Sequence, residues 1–94
     1  MKKAPEAKLP FGFNYSNWLD EGETITDATW TPDPANPDTN MSISADPEPS
    51  VTGAVVTCWL EGGTPDNWYR FTVQVTTSLG KTDERALHVA CEEP

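Results

Sequence analysis

The chain has 94 residues, with 15 acidic against 6 basic side chains, 4 tryptophans, 2 cysteines and a formal net charge of -9. That length is one domain, burying about two thirds of its unfolded surface, enough for a single core without metal or disulfide support. The acidic excess repels phosphate and so argues against binding nucleic acid or anionic lipid, and no apolar run is long enough to span a membrane.

Residues 1 to 8 are predicted to be a flexible basic arm, since Lys2, Lys3 and Lys8 hold half of the basic charge while the other 86 residues carry 14 acids against 3 bases. Extended, the arm reaches about 26 Å and could lie on an acidic neighbour, including another copy of the chain. Met1-Lys2-Lys3 is followed by polar residues where a secretory signal needs an apolar stretch, so synthesis and retention in the cytosol are expected.

Residues 9 to 94 are read as a single sandwich. Leu9 to Tyr15 places Leu9, Phe11, Phe13 and Tyr15 on one face of a first, edge strand, with Pro10 near its start. Ser16 is placed to cap one turn that ends at Glu21-Gly22. Glu23 to Thr31 is the next strand, and the opposite parity of Ile25 against Ala28 and Trp30 predicts a bulge near Thr26 or Asp27. The prolines from Pro32 to Pro49 exclude a long central strand, leaving Met41 to Ala45 as a short edge strand between two loops. Val51 to Glu61 reads as one strand, and Gly62 to Asp66 as the turn into Asn67 to Thr77, where Tyr69, Phe71, Val73 and Val75 alternate with polar residues. Ser78-Leu79-Gly80 makes a hairpin loop with Gly80 supplying positive φ, and closure at Thr77 and Lys81 sets Phe71 opposite Leu87 and Tyr69 opposite Val89.

Six to seven short antiparallel strands without a convincing helix predict an all-β, immunoglobulin-like β-sandwich. Tyr69 stands two residues before inward Phe71 at the start of the penultimate strand, the position of a tyrosine corner, with simple packing of its ring as the other reading.

Chemistry is sparse. Catalysis needs a nucleophile beside a base, paired carboxylates in a cleft, or an open metal, and none can be assembled, so no enzyme and no cofactor is expected. His88 lies between inward Leu87 and Val89 and should face outward. Cys58 and Cys91 share the inward parity of apolar neighbours and are expected as buried free thiols; a cross-sheet disulfide would need Cα atoms within roughly 7 Å. Asn36, Asp38 and Asn40 alternate like part of a calcium loop, but Met41 stands at the tight-turn glycine position and no bidentate Glu follows, so no metal site is read. Trp30 and Trp59 are expected to pack, whereas Trp18 and Trp68, in connections or at strand ends, are candidate anchors for a partner. With Lys2, Lys3 and Lys8 they form the candidate partner interface.

Phe13-Asn14-Tyr15-Ser16-Asn17-Trp18-Leu19, then Gly22-Glu23-Thr24-Ile25 and Ala28-Thr29-Trp30, resembles the opening of a family of small tailed-phage structural proteins, the fibre-tail adaptors. Trp59 to Thr64, Tyr69, Thr76-Thr77 and Gly80 to Leu87 resemble that family's closing hairpin. The resemblance implies a non-enzymatic virion part of immunoglobulin-like fold, present in several copies in the tail or neck after synthesis in the host cytoplasm. Its implied partners are tail tube or neck proteins, tail fibres and further copies of itself, with no small-molecule substrate. The proline-rich middle and the cysteines at 58 and 91 depart from the family pattern. The alternative is a carbohydrate-binding sandwich module, which needs two or three exposed rings in one plane.

Overall fold

A computed structural model describes residues 1–93. Eight strands, β1 (Lys2–Lys3), β2 (Lys8–Asn14), β3 (Ile25–Pro32), β4 (Met41–Ile43), β5 (Ser50–Thr52), β6 (Val55–Gly62), β7 (Trp68–Thr77) and β8 (Thr82–Cys91), form two sheets. One runs β1-β8-β7-β3; the other runs β2-β6-β4, with β5 also on β6. The strand pairs are antiparallel except β1 with β8. The all-β sandwich read from the sequence is what forms.

The core follows the two-residue period. Tyr69, Phe71, Val73 and Val75 of β7 and Leu87 and Val89 of β8 are buried against Val56, Cys58 and Leu60 of β6, with Tyr15, Trp30 and Met41 closing the sides. Phe71 lies opposite Leu87 and Tyr69 opposite Val89, the register the hairpin closure requires. The β3 ladder slips between Ile25 and Asp27, which makes Thr26 the bulge and lets Ile25 and Trp30 both face inward despite their parity.

Three expectations fail locally, at the β5–β6 turn, in the N-terminal arm and at Ser16. Val51 to Glu61 is not one strand: Gly53, at φ 59°, turns the chain so that Thr52 pairs with Val55 and β5 folds back on β6. A glycine at the first central position of a two-residue loop suits a II′ hairpin, and the run of β-formers around it concealed the turn. The N-terminal arm is also not a free tail. Lys2 and Lys3 pair in parallel with Ala90 and Cys91, and the Ala90 and Glu92 N–H groups donate to the Met1 and Lys3 carbonyls. The added β1 and β5 raise the count to eight strands.

Gly12 is demanded by close approach: a Cβ there would stand 2.1 Å from the Val56 carbonyl oxygen of the neighbouring strand. Ser16 does not cap the following turn. Its N–H donates to Asn14 Oδ1, while the Trp18 and Leu19 N–H groups reach the Tyr15 carbonyl.

Candidate functional site

Because β7 is ten residues long, its ends lie about 30 Å apart, and the candidate interface residues are divided between them. At one end, Lys2 and Trp68 both stand beside Ala90, on one row of the outer face, about two strand spacings apart. Trp68 is 62% exposed. It borders a shallow groove of about 230 Å³ with Asn36, Arg70 and His88, and His88 faces outward as expected. Lys2 reaches Glu92 at 3.6 Å.

Lys3 is different. It is 2% exposed, and its ammonium donates to the Ala4 and Ala7 carbonyls at 2.7 Å each, capping the turn by which the chain crosses from one sheet to the other. Burial pushes its pKa down, with the nearby Cys91 and Glu61 opposing. It is a structural lysine, removed from any contact surface. Lys8 lies at the start of β2, 3.5 Å from Glu61, and donates to the Asp46 carbonyl.

Trp18 sits at the other end. Its ring meets Tyr15 edge-on at 5.5 Å and lies under the Lys81 ammonium at 4.6 Å. Beside it the Glu23 carboxylate accepts from the Asp20 N–H at 2.8 Å, from the Thr77 hydroxyl, and from Lys81 at 3.0 Å. Burial alone would raise this carboxyl, but those three donors outweigh it and hold its pKa below the ordinary value. The motifs between Phe13 and Trp30 therefore meet those between Trp59 and Leu87 physically: Glu23 of the first group grips Thr77 and Lys81 of the second, and Arg85 of the second lies 4.0 Å over the Tyr15 ring of the first. These motifs are consumed in folding.

The strongest polar cluster was not legible as a site. The Tyr69 hydroxyl accepts from the Thr64 N–H at 2.8 Å and donates to Asp38 at 2.7 Å, which makes it a tyrosine corner extended by a carboxylate. Asp38 also accepts from the Asn40 N–H at 2.9 Å, the Thr64 hydroxyl at 2.8 Å and Asn67 at 3.2 Å. The Tyr69 bond and then the Asn40 bond hold its carboxyl below the usual range. A second clamp joins Asp33 to Arg70 at 2.9 Å, while Asn36 exchanges hydrogen bonds with the Arg70 backbone. Both clamps seat the proline-rich loop on β7. They spend carboxylates on structure.

Cys58 and Cys91 are free and buried, and burial pushes the Cys58 thiol up to about 12. Among the described residues no group of three or more His, Cys, Asp or Glu side chains is placed to hold a metal ion. What remains outward is sheet edges, Trp68 and the loops.

A family model described as podophage GP4 fiber-tail adaptor protein gp77 matches residues 3–90 of the chain. No curated protein matches it significantly.

Proposed function

The chain belongs to the podophage GP4 fiber-tail adaptor family, and from that premise we propose that it is a non-enzymatic virion part that joins tail fibres or neighbouring proteins to the tail or neck. The single observation carrying this reading is a family match that runs through all but the ends of the chain. The structure supports it by accounting for the matched motifs as packing and clamps, which leaves edges and loops to meet other proteins. Its place is the tail or neck of the particle, after synthesis in the host cytoplasm. Its neighbours there are tail or neck proteins, fibres and further copies of itself.

The immunoglobulin-like form of the sandwich belongs to the same proposal. Pairing β2-β6-β4 in one sheet and β3-β7-β8 in the other follows the partition of a constant-type immunoglobulin domain, with β1 in the place of part of its first strand. The Tyr69 corner supports it further. Of the interface candidates, Lys2, Lys8 and Trp68 remain available at the surface, Trp18 is half-covered, and Lys3 is withdrawn. A sugar-binding platform finds less support, because exposed Trp68 and half-buried Trp18 lie at opposite ends of β7 and β8.

The test is the composition of purified particles from a phage in which this gene is silenced. Heads and tails should form and fibres should be missing, and added purified chain should restore fibre attachment. Particles with a full fibre complement and no trace of this chain would overturn the proposal.

A further inference from the structure

The two flanks of the sandwich are guarded differently. Between β2 and β8, the inward parity of β8 carries Asp83 and Arg85, and the Arg85 guanidinium lies over both Tyr15 and Phe13. Inward charge of this kind protects an open edge from strand addition. On the other flank the outer edge of β3 faces β4 and β5, and the inward residues of β3, from Ile25 to Pro32, include no charge. No strand of the described residues covers that edge, which is eight residues and about 26 Å long.

Two depressions follow it. One of about 150 Å³ is lined by Asp27, Trp30, Pro49 and Val51, and one of about 360 Å³ by Pro32, Pro34, Met41 and Ile43 among others. Val51 is 41% exposed. Trp30 is 9% exposed, and its indole N–H, a donor that burial makes costly to leave unpaired, has no hydrogen-bond partner among the described residues. The rim is acidic: exposed Asp27 lines the smaller depression, exposed Glu48 directly precedes Pro49 of the same lining, Asp33 and Asp38 border the larger depression, and no lysine or arginine lines either.

We propose that this flank receives an extended segment of a different protein, added as a strand along β3, with lysine or arginine at its outward positions and apolar side chains at the alternate ones. Main-chain bonds to β3 hold it, apolar side chains enter the depressions, and the cations face Asp27 and Glu48. The inference rests on the adaptor reading for taking that protein to be a neighbour in the particle.

The test titrates the isotope-labelled full chain with two capped heptapeptides, one alternating valine and lysine, the other valine and glutamate, followed by nuclear magnetic resonance. The lysine peptide should shift the amides of residues 25–32 and 50–52. The glutamate peptide should bind about tenfold more weakly, the scale of two surface ion pairs. The variant D27K/E48K should reverse the preference, and should it fail to fold, loss of the preference at high salt gives the same reading on the native chain. Equal affinity for both peptides, shifts confined to β2 or β8, no binding at millimolar peptide, or occupation of the edge by a second copy of the chain would each overturn the proposal. Such a failure leaves the fibre-attachment assay untouched, which tests the adaptor role separately.

Discussion

Replacing Tyr69 by phenylalanine removes one oxygen atom and keeps the ring, so it tests the corner without opening the core. Tyr69 is 1% exposed, and its hydroxyl makes two hydrogen bonds, accepting from the Thr64 N–H and donating to Asp38. At about 1 kcal/mol net for each buried bond lost, the variant Tyr69→Phe should be destabilised by about 2 kcal/mol. For a domain of this size that lowers the melting temperature by roughly 8–16 °C. Thermal and urea unfolding followed by near- and far-ultraviolet circular dichroism measures both. The pH dependence sharpens the test. Asp38 titrates below its ordinary value of 3.8, so what its ionised form contributes is present above that value and lost as pH falls through the depressed one. The gap between wild type and Tyr69→Phe should therefore narrow under acid. A variant as stable as wild type at pH 7 would refute the view that this hydroxyl clamps the loop to the sheet.

The same linkage applies to Glu23 and Asp33, both held below ordinary carboxylate values, so the urea midpoint should be flat above about pH 5 and fall as the pH drops below about 4. Gly12→Ala sets a Cβ against a backbone oxygen that cannot swing away, and it should cost about 1–3 kcal/mol in the urea-derived stability. The thiols of Cys58 and Cys91 should ignore a disulfide-exchange reagent at pH 8 in the native protein and release two equivalents once unfolded, because burial keeps both protonated and out of reach.

The parts of the fold that were legible in the sequence are those set by neighbours along the chain. The β7–β8 hairpin could be registered residue by residue because alternation fixes which face is buried and Gly80 fixes where the chain turns. The bulge at Thr26 was visible as a parity conflict between Ile25 and Trp30. What stayed hidden depends on distant partners. β1 is two residues long and pairs with the far end of the chain, so nothing in Lys2 and Lys3 announces a strand, and a lysine gives no sign that it will be buried on carbonyls of its own turn. Asp38 looked like a fragment of an ion-binding loop, yet its side-chain partners Thr64, Asn67 and Tyr69 lie 26 to 31 residues away. Residue type groups Trp68 and Trp18 in one interface, but geometry splits them, with Trp68 at one end of β7 and Trp18 at the other. The sequence also carries the guarded flank: Asp83 and Arg85 share the inward parity of Leu87 and Val89, where a charge marks a protected edge.

The most direct measurement of the central claim, that this sandwich is an inert block whose rim joins virion proteins, is a localised electron cryo-microscopy reconstruction of the fibre attachment region of the particle. Density for the sandwich should stand between tail and fibre, its strands undisturbed and the edge of β3 in contact with a neighbouring chain. Fibres seated directly on the tail with no such density between them would contradict it.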